Sequence, residues 1–126
     1  METYERYKEA MNTWEFHGTE AYHRISLSGA VITDGVLWFA EAFEAFWLVN
    51  LVDAVRMQLE NVFIVADIKS TGEEAIVTFT DGNDNKVRDD IKVSYTNLPK
   101  GDYQLWIANG YGDHVGSKVI YLSTEH

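Results

Sequence analysis

The sequence has no cysteine, one proline and half as many basic as acidic side chains. Without cysteine the chain forms no disulfide bond, no zinc–thiolate centre and no cysteine nucleophile. A membrane-spanning run is missing too, because the longest nearly apolar stretch, 36–55, contains two glutamates, an asparagine and an aspartate. No apolar signal-peptide core follows the first methionine. We therefore expect a cytoplasmic protein that is neither exported nor inserted into a membrane.

Length and charge narrow the class of protein further. The 126 residues include 20 acidic and 10 basic side chains, a formal net charge of -10, while 46% are hydrophobic and 13% aromatic. This hydrophobic content argues against disorder and fits a single domain over residues 1–126. Direct nucleic-acid binding is not expected, because it depends on Lys and Arg side chains that neutralise phosphates.

Residues 1–60 have mainly helical patterns. Apolar residues recur at helical spacing over 3–13, which predicts a short first helix. Thr33 and Asp34 precede a long apolar segment, and either side chain can cap a helix that begins there. The segment 36–60 is apolar on most faces, as in a core or interface helix, and whether it forms one helix or two stays open. Its solvated edge is expected to be a polar stripe of Asn50, Asp53, Arg56 and Glu60.

Residues 61–126 change to a strand pattern. Short runs rich in β-branched and aromatic residues alternate with turn residues. Polar and apolar positions also alternate within the runs, which is typical of antiparallel strands with one buried face, and the short connections favour a meander. The predicted fold is α+β, an antiparallel β-meander of about five strands with the N-terminal helical half packed on one face. The predicted strands are 62–69, 75–80, 87–95, 103–109 and 115–122.

The sequence contains no recognisable catalytic motif. Asp81, Asn83 and Asn85 imitate the start of a calcium loop, but Lys86 and Lys92 stand where calcium needs a glycine and a bidentate glutamate. A metal-independent hairpin turn is therefore predicted at this point. We expect no enzymatic activity, no cofactor and no metal. The only clustered polar groups that could serve a small enzyme or ligand binder are Glu20, His23, Arg24 and Asp34.

Several short motifs occur in a specific order along the chain. Gly-Thr-Glu-Ala-Tyr-His-Arg at 18–24 is followed by Thr-Asp-Gly-Val at 33–36 and by Asp-Gly-Asn at 81–83. In order and spacing these motifs resemble a family of short proteins of unknown function from bacteria, phages and plasmids. Relatives tend to place a glycine around 43–45, where this sequence has Phe-Glu-Ala. The resemblance implies a setting of mobile genetic elements and supplies no catalytic or ligand residue.

Three functional hypotheses follow. The first is an acidic interaction protein, of mobile-element or phage type, that binds the basic surface of a host nucleic-acid-binding defence protein, such as a CRISPR-type complex, and inhibits it. The alternatives are a structural or regulatory homo-oligomer, such as a homodimer, and a small enzyme or ligand binder. The acidic residues expected to meet a partner are Glu41, Glu44, Asp53, Glu60, Asp81 and Asp84. Five aromatic residues are expected in the core, with a partner groove as the alternative: Trp38, Phe39, Phe43, Phe46 and Trp47.

Overall fold

Helices dominate the first half of the described chain and strands the second half. The computed structural model describes residues 3–12, 22–24, 30–109 and 118–123. Within these ranges there are three helices, α1 (Tyr4–Asn12), α2 (Asp34–Ala42) and α3 (Phe46–Arg56). None of them is long and apolar enough to cross a membrane. The strands in the same ranges are β1 (Tyr22–Arg24), β2 (Val31–Thr33), β3 (Phe63–Ser70), β4 (Ala75–Thr80), β5 (Ile91–Val93), β6 (Gly101–Asn109) and β7 (Lys118–Tyr121).

The strands of the described chain form one seven-stranded sheet in the order β1-β2-β7-β6-β3-β4-β5. All neighbours are antiparallel except β2 and β7, which run parallel with Val31 opposite Val119. The α+β class is confirmed, but the predicted antiparallel meander is wrong. After β5 the chain does not add a strand at the sheet edge. It returns to pair β6 with β3, on the side opposite β4, so the sheet is mixed and its strand order is not sequential.

Each of the five predicted strand runs contains a strand. The runs 62–69 and 75–80 match β3 and β4 closely, whereas the run 87–95 shrinks to the three residues of β5. Residues 115–117 of the last predicted run lie outside the described residues. The sheet gains two further strands, β1 and β2, from within residues 1–60, which were expected to be mainly helical.

The long apolar segment forms two helices, which answers the question that its pattern left open. Between α2 and α3, Glu44 has a left-handed backbone with a φ of 52°. The Ala45 N–H donates a hydrogen bond to the Ala40 carbonyl at 2.8 Å, and the Phe43 N–H donates to the Phe39 carbonyl at 3.0 Å. The Phe43 bond is the last regular bond of α2, whereas the left-handed Glu44 and the bond from Ala45 back to Ala40 are features of the Schellman motif that commonly ends a helix. The helix break therefore lies where the family resemblance places a glycine.

The predicted helix start at Thr33 is confirmed. Thr33 has an extended backbone and is buried, and its Oγ1 accepts a hydrogen bond from the Val36 N–H at 3.3 Å. This bond satisfies one of the free N–H groups in the first turn of α2. Asp34 is the first residue of the helix, where a carboxylate interacts favourably with the helix dipole.

The hydrophobic core lies between the helices and one face of the sheet. Alternate residues of β3 face it, namely Ile64, Ala66 and Ile68, and they pack with buried residues of all three helices. The helical part therefore covers one face of the sheet, as predicted. The other face of β3 carries the intervening positions, among them Asp67 and Lys69.

Two tyrosines anchor α1 to the sheet. Tyr7 is 7% exposed, its ring centroid lies 4.8 Å from that of Tyr103, and its hydroxyl accepts a hydrogen bond from the Gln104 N–H at 3.1 Å. The ring of Tyr4 lies directly over Gly101, where any Cβ atom would collide with it. Glycine at this position of β6 is therefore a condition for the docking of α1.

The polar stripe of the apolar segment is only partly solvated. Asn50 and Glu60 are exposed, but Asp53 and Arg56 are each only 4% exposed. The prediction of a solvated helix edge is therefore wrong at these two positions. Helical spacing places the four residues on one side, but it does not reveal that two opposite charges three residues apart can pair and enter the core together.

Candidate functional site

The outer side of α2 carries a groove of about 480 Å³. Helical spacing divides α2 into two sides, of which one buries Val36, Phe39 and Ala40 in the core. The other side forms the groove and combines apolar surface with two carboxylates, one from the first turn and one from the last. The residues that line the groove are Asp34, Leu37, Trp38, Glu41 and Ala42.

Trp38 makes two contacts in the groove, one with an aromatic ring and one with a cation. Its ring meets the ring of Phe43 edge-on, with 5.9 Å between the centroids. The guanidinium carbon of Arg6, from α1, lies 5.2 Å from the centroid of the Trp38 ring. A cation at this distance over an indole ring is attracted by the ring's electrons. The indole of Trp38 therefore presents a surface that accepts a guanidinium group.

His23 and Asp34, two members of the predicted polar cluster, lie together. The Nε2 of His23 on β1 is 2.8 Å from Oδ1 of Asp34, and each side chain is 37% exposed. Glu20 and the side chain of Arg24 lie outside the described residues. In the part of the chain that is described, no group of three or more His, Cys, Asp or Glu side chains is placed to hold a metal ion.

The acidic residues of the helical half do not form one surface. Glu41 and Glu44 are exposed near the end of α2, and Glu60 is exposed beyond α3. Asp53 is buried, and its Oδ1 lies 2.7 Å from Nε of Arg56. Asp53 was expected among the residues that meet a partner; because its carboxylate is buried and paired, it is not available at the surface.

The other predicted acidic pair lies in the turn after β4. Asp81 accepts hydrogen bonds from the Asn83 N–H at 2.8 Å and from the Asn85 side-chain amide at 3.1 Å. These bonds favour the ionised carboxylate, so they lower the pKa of Asp81. Asp84 is exposed and has a left-handed backbone with a φ of 65°. The carboxylate of Asp81 therefore stabilises the turn, whereas the side chain of Asp84 is exposed to solvent.

A family model described as "Family of unknown function (DUF6876)" matches residues 9–126. The chain belongs to this family. The matched range begins within α1 and includes α2, α3 and every strand of the described sheet, so the groove lies within the DUF6876 part of the chain. No curated protein and no solved structure matches the chain.

Reasoning from the sequence of this DUF6876 protein did not single out the groove. Trp38 was expected in the core, with a partner groove as the alternative, whereas Leu37 and Ala42 carried no signal at all. Phe39 and Phe43 are buried as expected, but Phe46 is 44% exposed. The signal that could have found the groove is the spacing of Asp34, Trp38 and Glu41, because residues three and four apart share one side of a helix.

Proposed function

We propose that this DUF6876 protein is an acidic interaction protein that binds a basic surface of a partner protein through the groove on α2. The groove supports this proposal because it joins apolar surface, from Leu37, Trp38 and Ala42, to the exposed carboxylate of Glu41 and to that of Asp34, which also pairs with His23. Apolar surface contributes binding free energy, and carboxylates at its edges select partners whose contact residues are positive.

The contact of Arg6 with Trp38 is the main support for the proposal. This pair is an intramolecular example of the interaction that an arginine-bearing partner would make, since a guanidinium already lies over the indole ring. Glu41 lies three residues beyond Trp38, on the same side of α2, and is exposed. A partner arginine that replaced Arg6 over Trp38 would therefore meet both an aromatic face and a carboxylate.

The partner class that we propose is a host nucleic-acid-binding protein, such as a CRISPR-type defence complex, which the DUF6876 protein inhibits in the cytoplasm. Such proteins present lysines and arginines to phosphates, and a chain with a net charge of -10 is attracted to the same surface. The resemblance to proteins of phages and plasmids supports this setting, because mobile elements benefit from blocking host defence.

Two matched double variants test the groove. Glu41→Lys with Glu44→Lys reverses two charges beside the groove, and Asp84→Lys with Asp89→Lys reverses two exposed charges at the far turn. Parent and variants are immobilised, exposed to lysate of a bacterial host, and the proteins they retain are identified and purified. We expect a nucleic-acid-binding protein whose affinity falls at least about tenfold with the first variant and about twofold with the second.

The same binding measurements can also contradict the proposed contact. Binding to the purified partner should weaken as salt rises, and duplex DNA or RNA should compete for the partner. Equal losses in the two double variants, or binding that ignores salt, would refute the proposed contact. Light scattering on the parent protein supplies the check for self-association: a dimer that dissociates with Glu41→Lys and Glu44→Lys would make the groove a contact between copies of the chain.

A further inference from the structure

The face of the sheet opposite the helices contains a cavity of about 310 Å³. Its floor is formed by neighbouring strands, where register places Asp67 of β3 between Thr78 of β4 and Gln104 of β6. The cavity is lined by both kinds of charge and by hydroxyl groups. Its lining residues are Asp67, Ile68, Lys69, Thr78, Thr80, Asp84, Lys86, Asp102 and Tyr103.

A chain of hydrogen bonds fixes one carboxylate in this cavity. The indole N–H of Trp106 donates to Oε1 of Gln104 at 2.7 Å, and Nε2 of Gln104 donates to Oδ1 of Asp67 at 2.8 Å. Because an indole nitrogen can only donate, this first bond determines which way the Gln104 amide points. The Gln104 amide therefore presents a donor to Asp67, whose carboxylate is oriented before any ligand arrives.

The turn after β4 forms a wall of the same cavity. It contributes Asp84 and Lys86 to the lining. The backbones of Lys86 and Thr80 form an isolated antiparallel β-bridge across the turn. Gly82 holds the turn against the sheet: its φ is +90°, and a Cβ atom there would lie 2.9 Å from the Phe63 ring. Only glycine fits this conformation and this approach without displacement. Gly82 thus places the turn that carries Asp84 and Lys86 close to the outer face of β3.

An aromatic row lies on the same outer face of β3, β6 and β7 and is linked to the cavity through Gln104. The ring of Trp106 lies edge-on to Phe63, with 5.5 Å between centroids, and edge-on to Tyr121, with 6.1 Å. All three rings are half-buried. Because Trp106 is hydrogen-bonded to Gln104, the aromatic row and the oriented carboxylate are two parts of one arrangement.

The mixture of groups indicates the chemical class of the ligand. The lining brings the ammonium groups of Lys69 and Lys86, the latter also paired with Asp90, next to the carboxylates of Asp67, Asp84 and Asp102, so a charged ligand would meet charges of both signs. A neutral molecule whose groups both donate and accept hydrogen bonds satisfies both sets of charges, and hydroxyl groups have this property. We infer that the cavity over β3, β4 and β6 binds a neutral, polyhydroxylated ligand of the saccharide class, with hydroxyls on Asp67, whose carboxylate is oriented by Gln104 and Trp106. This site lies on the opposite side of the sheet from the α2 groove and does not depend on its function.

Proton–nitrogen correlation spectra test this inference directly. The indole signal of Trp106, assigned by its loss in Trp106→Phe, reports on the bond to Gln104 and hence on Asp67. Glucose, galactose and N-acetylglucosamine are titrated at constant ionic strength, with inorganic phosphate and spermidine as charged comparison probes. We expect at least one sugar to shift this indole signal and the amide signals around Asp67 and Thr78 in a saturable manner.

Matched variants complete the experiment. Asp67→Asn keeps the shape of the side chain and removes its charge, so the saccharide affinity should fall about tenfold. Asp89→Asn makes the same change at an exposed position outside the cavity and should leave the affinity unchanged. Thr78→Val serves if Asp67→Asn does not fold, and it should also weaken binding. The inference is wrong if no sugar shifts these signals, or if phosphate or spermidine shifts them at least as strongly.

Discussion

Asp53 and Arg56 form an ion pair of 2.7 Å one turn apart on α3, and both side chains are almost completely buried. Two opposite charges that enter a core together lose hydration but compensate each other through a short charge-assisted hydrogen bond. Neither charge is tolerated there alone. The pair is therefore a structural feature of α3 rather than a part of a binding surface.

Removing one partner of this pair should destabilise the fold strongly. Asp53→Ala or Arg56→Ala leaves an uncompensated buried charge, which should lower the free energy of unfolding by about 3–5 kcal/mol. Chemical denaturation measures this change. The double variant Asp53→Leu with Arg56→Met leaves no charge behind and should lose less than either single variant.

The exposed pair of Lys86 and Asp90 provides the control for that experiment. The Nζ of Lys86 lies 3.1 Å from Oδ1 of Asp90, but both side chains are exposed to solvent. Asp90→Ala should therefore change the free energy of unfolding by no more than about 1 kcal/mol. Similar losses at the buried and exposed pairs would contradict the interpretation of α3.

Glu44→Gly should stabilise the protein. A left-handed backbone costs a residue with a side chain about 1–2 kcal/mol, and glycine adopts it freely. We expect the free energy of unfolding to rise by about 1 kcal/mol, measured by denaturation in urea. Glu44→Ala removes the same charge but keeps a Cβ atom, so it should give no such gain. Equal stabilisation by both variants would point to charge rather than backbone conformation.

Tyr7 should make the fold sensitive to alkaline pH. Burial raises the pKa of Tyr7 from 10.0 to about 12, and the hydrogen bond from the Gln104 N–H offsets only part of this effect. The neutral hydroxyl is thus favoured in the folded state. Its contribution is complete below pH 10 and is lost progressively as the pH rises from 10 to about 12, by about 2–3 kcal/mol.

Stability curves of Tyr7→Phe between neutral and alkaline pH test this assignment. The variant should lose stability less steeply than the parent above pH 10, the ordinary pKa of tyrosine. Some slope should remain, because burial also raises the pKa of Tyr103 and Tyr121. Tyr95→Phe, at an exposed position, should follow the parent curve. Parallel curves for parent and Tyr7→Phe would refute the role of Tyr7.

The cap of α2 depends on one hydroxyl group. Thr33→Ala removes the acceptor for the Val36 N–H and should cost about 1–2 kcal/mol of unfolding free energy. Thr33→Ser retains the hydroxyl and should cost less, which separates the cap from the lost methyl group. A stability of Thr33→Ala equal to that of the parent would mean that the cap does not contribute.

The turn at 81–85 should be insensitive to calcium. Both carboxylate oxygens of Asp81 already accept hydrogen bonds, one from the Asn83 N–H and the other from the Asn85 amide. Lys86 follows where a calcium loop needs glycine. We expect the same melting temperature with millimolar calcium, millimolar magnesium or a chelator. A rise of several degrees with calcium alone would overturn this prediction.

Local patterns predicted the elements of the fold better than their arrangement. Alternation of polar and apolar residues located β3 and β4 to within a residue, because the period of a strand is a local property. The partners of each strand are not encoded in that period, so the return of β6 to β3 could not be foreseen. Strands β1 and β2, with three residues each, are too short for alternation to be visible.

The sequence predicted the candidate sites to the same limited extent. The pairing of His23 with Asp34 was anticipated only as part of a polar cluster. The aromatic character of Trp38 did not predict that it is only partly buried. The arrangement of Asp67, Gln104 and Trp106 gave no signal, because residues on β3 and β6 become neighbours only through the strand register. Functional residues on a sheet face require knowledge of that register.

The parallel pairing of β2 with β7 has a consequence for biosynthesis. Val31 is translated long before Val119, its partner, and among the described strands β7 is the one that pairs β2 with the rest of the sheet. Contacts between such distant parts of a chain form late, because closing a long loop costs entropy before pairing compensates it. The hairpin of β3 and β4 needs only nearby residues. We therefore expect the hairpin of β3 and β4 to form early and the edge formed by β1 and β2 to join the sheet only after β7 has been translated.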